Sequence, residues 1–525
     1  MATVAGQSFL PFAVRARQPG KRSLADDLEP TWREIFLSGL AVIWFAAATG
    51  SSSEYDDTAS TIGLVYFSVV LAWAGYRQMA RNVSALWTPL LWYRVAMLTY
   101  FGIGSLVPIW SNAATRTMME GFYEFYSWEI LKLNLLVSIF HVTFLCTSKI
   151  LFTMVRNREM RVEQQAKKGK TLELGKRPLI NRSAVNMIAF GVLCLAVGSF
   201  VNFFIVFPVT VGWFTVPLYS TFYNLVILSW IGYFMVTLWS LQTGKRLVLI
   251  FVILVALGET MIGFFAMSKS VIMMPMVMVG IGFVYHKRSL TRIAVFGTAM
   301  ISTFLILSPM MGYVRMVNGA YYANYTPPEE LPKVYASYFD SSSNNGMEDR
   351  SGDIQEGWLR LSYVNAGTFA ISQYDNRLPG NSYRYWAIVW IPRAIYPNKP
   401  FITDVSREFS YLANGNFNSS SSPGLPAEGY WNGGWLGVVG VACLLSIIMS
   451  LWSIYSFIVI DRQAWHLFFI VLLGMRMSIR MDGALVSDVI GPIGIAFIAH
   501  LVLELLNRFL PQSVVKLLDR VTLVS

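Results

Sequence analysis

Long apolar stretches joined by short polar connections make up most of this chain. A stretch of about 17 to 25 apolar residues is long enough to cross a bilayer as a helix. Twelve spans are predicted, of which the eighth is short, at 34–50, 59–76, 86–109, 130–153, 184–207, 216–242, 247–267, 271–285, 290–312, 433–460, 464–481 and 484–506. The pattern therefore predicts an all-α polytopic integral membrane protein.

The pattern is interrupted once, over the 120 residues of 313–432, which hold nine Lys or Arg, eleven Asp or Glu and many Trp and Tyr. A connection of this length is usually functional or disordered, and aromatic content favours a folded segment. We expect this loop domain to be largely helical and to pack over the last three spans. The predicted division is an N-terminal segment at 1–33, spans at 34–312, the loop domain at 313–432, spans at 433–506 and a C-terminal tail at 507–525.

Composition and charge support this division. The chain is 55% hydrophobic and 14% charged, whereas soluble domains have about 25% charged residues. Nine basic residues lie between Arg156 and Arg182, while the short connections on the other side hold only Arg116 and Lys269. Because basic connections stay in the cytoplasm, both termini are expected to be cytoplasmic and the loop domain outside.

The net charge of +11 does not indicate nucleic-acid binding, because the basic residues occupy connections where they orient spans and meet lipid headgroups. The three cysteines lie within predicted spans, as buried hydrophobic residues do. No phosphate-binding, dinucleotide-binding or metal-ligand motif occurs, and the four histidines are scattered. We expect no metal and no cofactor.

Charged residues inside spans are costly and are functional hypotheses by default. Glu34, Lys132 and Lys149 lie near span ends, where their charged groups can reach the interface. Arg94 lies deeper, and either pairs with a backbone carbonyl or has a functional role. Glu259, inside the seventh span, is either a proton site or a protonated core group with satisfied hydrogen bonds.

Arg476 and Arg480 are one helical turn apart in the outer half of the eleventh span and share a face. Two guanidinium groups at this place need an anion. Asp482 and Asp488 are close enough in sequence to provide it. A lipid phosphate is the alternative, since the planar guanidinium suits a diphosphate.

The loop domain contains an apolar pattern at helical spacing, formed by Tyr383, Trp386, Ala387, Trp390 and Ile391. Such a face lies in a membrane interface or covers a transmembrane bundle. Pro392 is expected to end this helix. Arg393 and Lys399 would then lie at headgroup depth, where a lipid-linked phosphate is met.

Glu428 lies five residues before the tenth predicted span, in a glycine-rich stretch that favours tight turns. Its carboxylate is either a general base whose pKa burial would raise, or the counter-ion of a neighbouring arginine.

Together these features resemble the Wzy-type O-antigen and exopolysaccharide repeat-unit polymerases of bacteria. The resemblance rests on the many spans, the one large outer loop late in the chain, the stretch 391–400 and the loop exit at 427–437, so its motifs cover about 50 residues. One feature departs from the family: the Arg-x10-Gly pattern of some members is missing from this outer loop.

The resemblance implies a GT-C-like glycosyltransferase of the bacterial inner membrane that works without metal or nucleotide sugar. Its substrates would be undecaprenyl-diphosphate-linked oligosaccharides, and the growing glycan would move onto the incoming repeat unit. The implied partners are the lipid bilayer and, in the same pathway, a flippase and a chain-length regulator. An O-antigen ligase and a lipid-linked glycan flippase are the alternatives.

Carried onto this chain, the resemblance places the diphosphate at Arg393. The surrounding basic residues that would assist are Arg360, Lys399, Arg407, Arg476 and Arg480. Charge stabilisation of the leaving diphosphate needs such fixed cations. Glu428 is the first choice for the base that takes the proton of the attacking sugar hydroxyl, and Asp404 is the second. Flat faces for sugar rings would come from Trp386, Trp390, Tyr430 and Trp431.

Overall fold

The computed structural model describes residues 24–50, 56–111, 127–167, 187–214, 216, 222, 225–286, 289–317, 329–344, 361–389, 391, 396, 399–400, 404–415, 417, 421–462 and 464–509. These residues form helices and their connections, and none of them lies in a β-strand. The protein is an all-helical membrane protein.

The α-helices are α1 (Leu24–Leu28), α2 (Trp32–Thr49), α3 (Asp56–Arg81), α4 (Pro89–Ala96), α5 (Val107–Trp110), α6 (Ser127–Lys167), α7 (Met187–Val201), α8 (Phe207–Thr210), α9 (Ile227–Thr243), α10 (Arg246–Phe265), α11 (Lys269–His286), α12 (Leu290–Val317), α13 (Leu331–Asn344), α14 (Val364–Asp375), α15 (Tyr385–Val389), α16 (Asp404–Asn414), α17 (Leu425–Asp461), α18 (Phe468–Ile479) and α19 (Gly491–Phe509). Three π-helices, Met97–Ile103, Asn202–Val206 and Leu485–Ile490, continue or precede α-helices within predicted spans.

Each of the twelve predicted spans contains a helix or a run of consecutive helices among its described residues. Nine helical stretches of the described residues are long and apolar enough to cross a membrane, and two further apolar helices, Val271–His286 and Trp465–Ile479, are shorter. A membrane protein with several spans is therefore confirmed, and the number twelve stays a prediction.

Most of the buried apolar residues of the described chain belong to one large cluster, and the next in size is a smaller cluster. The large cluster joins α2, α3, α4, α6, α14, α17 and α18, with α17 packed along α6. The smaller cluster joins α7, α9, α10 and α11, in which α9 contacts both α7 and α11. The first cluster includes residues of the loop-domain helices α14 and α16, and α10, a helix of the second cluster, carries Glu259.

Several short helices form the described part of the loop domain. Helix α14 packs against α6 and α17, and α15 packs against the π-helix Leu485–Ile490. The boundaries differ from the predicted 313–432, because α12 continues to Val317 and α17 already begins at Leu425. The helix predicted from Tyr383 onwards is a 3₁₀ turn, Ser382–Arg384, followed by α15, while Trp390 and Pro392 lie outside the described residues.

Four charged residues of the predicted spans have ionic partners, namely Glu34, Arg94, Lys132 and Lys149. Arg94 donates hydrogen bonds to both carboxylate oxygens of Glu34, at 2.8 and 3.2 Å, and to the Leu90 carbonyl at 3.2 Å. Lys149 lies 2.7 Å from a carboxylate oxygen of Glu29, and Lys132 pairs with Asp375 of α14. Buried charges are retained where they are paired, so these residues have a structural explanation.

Candidate functional site

Glu428 lies in the first turn of α17 and is only 1% exposed. Its Oε1 atom accepts a hydrogen bond of 2.6 Å from the Ser382 hydroxyl. Its Oε2 atom accepts one of 2.7 Å from the backbone N–H of Leu485. Burial raises the pKa of Glu428 to about 7, although the hydrogen bonds from Ser382 and Leu485 lower it. None of the ion pairs between described residues includes Glu428, which speaks against its role as an arginine counter-ion there.

Asn432, one turn after Glu428, completes this hydrogen-bond network. Its side-chain oxygen accepts from the Ser382 backbone N–H at 3.0 Å. Its side-chain nitrogen donates to the Ser382 hydroxyl and to the Glu428 carbonyl, both at 2.9 Å. The Gly380 N–H donates to the Trp431 carbonyl at 2.9 Å. The segment 380–384 of the loop domain is thereby fixed to the start of α17.

The start of α17 is set by Gly424, whose φ of 81° lies in the left-handed region that glycine tolerates best. A side chain there would bring its Cβ within 3.0 Å of the Phe101 ring. The next residue, Leu425, donates its N–H to the Met481 carbonyl at 3.0 Å. This contact joins the beginning of α17 to the connection 479–485 between α18 and the π-helix.

A kink separates the first two turns of α17 from the rest of the helix. Gly433 and Gly434 have non-helical backbone angles, and Gly434 has a φ of 57°. A Cβ on Gly434 would lie 2.6 Å from the Tyr374 hydroxyl oxygen. The tenth span was predicted to begin at 433, and the kink falls at that point. The preceding residues, 425–432, form a short helix of their own that holds Glu428 and Asn432.

Arg480 lies on the connection 479–485 and is paired with acidic residues. Its Nε atom lies 3.1 Å from Asp488 Oδ1 and 3.8 Å from Asp482 Oδ1. The Tyr363 hydroxyl donates to Asp482 Oδ2 at 2.7 Å, and Asp488 Oδ2 accepts from the Ala484 N–H at 3.1 Å. The internal partners predicted for Arg480 are confirmed, and its side chain is 49% exposed.

These charges affect one another. Burial lowers the pKa of Arg480, but the negative charges of Asp482 and Asp488 raise it by more. The pKa of Arg480 therefore lies above its ordinary value, and the guanidinium keeps its charge. Burial raises the pKa of Asp482, and this effect exceeds the opposing effects of Arg480 and of the hydrogen bond from Tyr363.

The connection 479–485 joins the two groups of residues into one candidate site. It carries Arg480 and Asp482 and ends at Leu485, whose N–H binds Glu428. Two buried polar atoms at this site have no hydrogen-bond partner within the described part of the chain, Asp482 Oδ1 and the Tyr383 hydroxyl. Burial raises the pKa of Tyr383, and Glu428 raises it further, so this hydroxyl remains a donor.

The remaining predicted cations have different surroundings. Arg407 lies 3.5 Å from Asp404 within α16. Lys399 donates to the carbonyls of Val389 and Ile391, at 2.7 and 3.0 Å, and so caps the end of α15.

Arg476 is exposed on α18 and forms no ion pair with another described residue. The other two cations named from the sequence, Arg360 and Arg393, lie outside the described residues.

The aromatic residues proposed to hold sugar rings are mostly buried. Tyr430 is 4% exposed and donates its hydroxyl to Asp375, while Trp431 is 5% exposed and packs edge-on against Phe409. Both therefore stabilise the packing between α17 and the loop domain. Trp386, at 37%, is exposed, and Trp390 lies outside the described residues.

Sequence reasoning missed Ser382, Tyr363 and Asn432. Their residue types are common in loops, and no local pattern marks them as partners of Glu428 or Asp482. Only Asn432 lies in a stretch that attracted attention, the glycine-rich loop exit.

Within the described residues, no group of three or more His, Cys, Asp or Glu side chains is arranged to hold a metal ion. No protein-family model, curated protein or solved structure matches the chain.

Proposed function

We propose that this protein is a membrane glycosyltransferase that polymerises undecaprenyl-diphosphate-linked oligosaccharide repeat units at the outer face of a bacterial inner membrane, with a GT-C-like arrangement of twelve spans. The proposal rests on the resemblance to Wzy-type polymerases. Its main structural support is the candidate site, in which Asp482 Oδ1 and the Tyr383 hydroxyl have no hydrogen-bond partner among the described residues. A sugar carries hydroxyl groups that both donate and accept, and it can satisfy both atoms.

In the proposed reaction, a hydroxyl oxygen of the incoming repeat unit attacks the anomeric carbon of the growing glycan. The bond between that carbon and the diphosphate oxygen breaks, and the diphosphate leaves with the electron pair. The hydroxyl proton passes to a carboxylate base. Fixed cations stabilise the negative charge that develops on the leaving group.

Arg476 and Arg393 are the residues to which we assign the diphosphate. Arg476 is exposed and has no ionic partner among the described residues, so its full charge is open to an anion. Arg480, by contrast, is already paired with Asp488, and we assign it the role of holding the connection 479–485. Arg393 keeps its assignment from the sequence.

Asp404 is the carboxylate we assign as the base. Its side chain is 17% exposed at the start of α16, whereas a sugar hydroxyl reaches Glu428 only by displacing Ser382 or Leu485. Helix α16 belongs to the same site, since Val405 packs with Ala484 and Val486 next to Leu485. Glu428 is then a positioning residue.

The decisive experiment is the glycan pattern of a strain that lacks the protein, examined as a gel ladder. A polymerase predicts products with a single repeat unit attached to the normal acceptor, and the full-length protein should restore the ladder. Long glycans left on the lipid carrier would instead identify a ligase, and repeat units trapped on the cytoplasmic side a flippase. Either of the last two results would overturn the proposal.

A further inference from the structure

Glu259 is a buried carboxyl group on α10, one of the helices of the second apolar cluster. It lies in α10 and is 0% exposed. Helix α10 packs against α9, α11 and the π-helix Asn202–Val206. About 9 Å of helix separates Glu259 from the end of α10 at Phe265, at a rise of 1.5 Å per residue. The carboxyl group is therefore inside the apolar span.

Two serine hydroxyls contact this carboxyl group. Ser199 of α7 lies 2.7 Å from Oε1, and Ser229 of α9 lies 3.0 Å from Oε2. Ser229 also lies 2.8 Å from the Val226 carbonyl of its own helix. A serine hydroxyl has one proton and two acceptor positions. Ser229 can therefore donate to the carbonyl or to Glu259, but not to both.

This choice depends on the protonation state of Glu259. If the carboxyl group carries a proton on Oε2, it donates to the Ser229 oxygen, and Ser229 donates to the Val226 carbonyl. If the group is ionised, Ser229 rotates its proton towards Oε2. Rotation of one hydroxyl therefore accommodates both states without movement of the helices.

Two more donors lie beside the same carboxyl group. The Asn202 side chain, 2% exposed, and the Tyr233 hydroxyl both interact with Glu259. In the described part of the chain, the Asn202 amide nitrogen and the Tyr233 oxygen make no hydrogen bond by the usual distance and angle limits. These neutral donors are placed to stabilise an ionised carboxylate when the proton leaves.

Among the described residues, none of the side chains that interact with Glu259 is a cation. Tyr233 is the titratable group that faces it from α9, and the contributions from α7 and from the π-helix are the neutral side chains of Ser199 and Asn202. A buried carboxylate without a cation is costly, which favours the protonated form in this arrangement.

The local backbone is built to bring these groups together. A Cβ on Gly198 would lie 2.1 Å from the Ser229 backbone nitrogen, so glycine is required for the close approach of α7 and α9. Asn202 begins a π-helix, a local widening that is frequent at functional sites. Both features change the local geometry of α7, or of the π-helix that continues it, at positions next to Ser199.

We propose that Glu259, with Ser199, Ser229, Asn202 and Tyr233, is a membrane-embedded binding site for one exchangeable proton. Glu259 releases the proton to water and regains it from water, and Ser229 changes its hydrogen-bond partner at each step. The site lies on α7, α9, α10 and the π-helix Asn202–Val206, whereas Glu428 lies on α17 and Arg480 on the connection 479–485. The proposal does not depend on the enzymatic function.

The test is pH-difference infrared spectroscopy of the full-length protein in lipid nanodiscs. A protonated carboxylic acid has a carbonyl stretching band that an ionised carboxylate lacks, so a band that disappears as pH rises reports release of the proton. We expect the parent protein to show this band and Glu259→Gln to lose it. Ser229→Ala should move the band to higher wavenumber, because the acid loses its hydrogen-bond acceptor.

Glu34→Gln is the matched control, since Glu34 is also a buried glutamate in a span but pairs with Arg94. Its spectrum should keep the band. A band that Glu259→Gln leaves unchanged, or no titrating acid band in the parent, would overturn the proposal. If Glu259→Gln does not fold, the absence of any shift in Ser229→Ala would overturn the proposal equally.

Repeating the titration in sodium chloride and in choline chloride distinguishes a proton from a sodium ion as the ligand. A band that disappears on sodium addition at constant pH would identify a sodium site instead.

Discussion

At the residue scale, two arginines one helical turn apart have different electrostatic surroundings. Arg480 lies 3.1 Å from a carboxylate oxygen of Asp488, while Arg476 is exposed and forms no ion pair among the described residues. An arginine beside two carboxylates attracts a further anion less strongly, because the acidic groups repel it. The exposed guanidinium is therefore the better partner for a lipid diphosphate.

We predict that Arg476→Ala lowers polymerisation of purified lipid-linked repeat units about 100-fold, as the loss of one oxyanion donor does. Arg476→Lys should lower it about 10-fold, because the ammonium keeps the charge but loses the paired hydrogen bonds. Lys333→Ala, at an exposed basic residue of α13, is the control and should match the parent. Full activity of Arg476→Ala at equal membrane abundance would show that the diphosphate binds elsewhere.

A second prediction separates Glu428 from Asp404. Glu428→Gln keeps an oxygen for the Leu485 N–H and gains a donor for Ser382, so folding and polymerisation should stay within about 10-fold of the parent. Glu428→Ala leaves the Leu485 N–H without a partner and should cost about 1–3 kcal/mol of folding free energy, seen as a lower melting temperature in detergent. Asp404→Asn should lower polymerisation at least about 100-fold with an unchanged melting temperature, as expected for loss of a general base.

The outcomes for these carboxylates are distinguishable. If Glu428→Gln is inactive but has the melting temperature of the parent, Glu428 is the general base. If Asp404→Asn is as active as the parent, Asp404 is not the general base.

At the scale of elements, the kink in α17 connects the membrane helix to the candidate site. Gly434 adopts a φ of 57° and approaches Tyr374 of α14 so closely that a Cβ would lie 2.6 Å from its hydroxyl oxygen. Without the kink, residues 425–432 would continue along the axis of the membrane helix. Glu428 could not then keep its hydrogen bonds to both Ser382, which precedes it in the sequence, and Leu485, which follows it.

We predict that Gly434→Ala destabilises the protein by about 1–3 kcal/mol, the usual cost of a strained backbone conformation, with further loss from the contact with Tyr374. Gly440→Ala, in the regular part of α17 where a Cβ meets no atom within 4 Å, is the matched control. It should be neutral or stabilise the helix by up to about 1 kcal/mol. Thermal unfolding in detergent measures both. Equal melting temperatures for the two variants would contradict the role of the kink.

At the scale of the whole molecule, the basic residues predict the orientation in the membrane. The connection after α6 holds most of the nine Lys and Arg between Arg156 and Arg182, and the positive-inside rule predicts that it lies in the cytoplasm. With this orientation we expect helix α14 and the segment up to Arg384 to face outward, together with Arg480 and Glu428. This orientation is required for a reaction on lipid-linked glycans that have already crossed the membrane.

We therefore predict that a cysteine at Leu378, which is 59% exposed after α14, reacts with a membrane-impermeant maleimide in spheroplasts. A cysteine at Met160, near the end of α6 and 47% exposed, should react only after permeabilisation. The native cysteines all lie within apolar helices, and the parent protein provides the background. Labelling of the Met160 position in intact spheroplasts would reverse the orientation.

The sequence by itself determined the helices and their approximate ends. A helix satisfies its backbone hydrogen bonds within its own segment, so a long apolar stretch specifies a membrane helix without reference to its neighbours. This is why helices lie at all twelve predicted places. The glycines of the loop exit also pointed to a turn, and the kink is at Gly433 and Gly434.

Only the tertiary structure decided which side chains meet. Glu428 binds Ser382 and Leu485, which lie 46 and 57 positions away along the chain. Hydrogen bonds between such distant residues depend on how helices pack, and a local pattern does not encode that. The same holds for burial: Tyr430 and Trp431 looked like sugar platforms in the sequence but lie against α14 and α16. Residue type and spacing suggested which side chains can take part in catalysis or binding. Packing decided which of these side chains a ligand can reach.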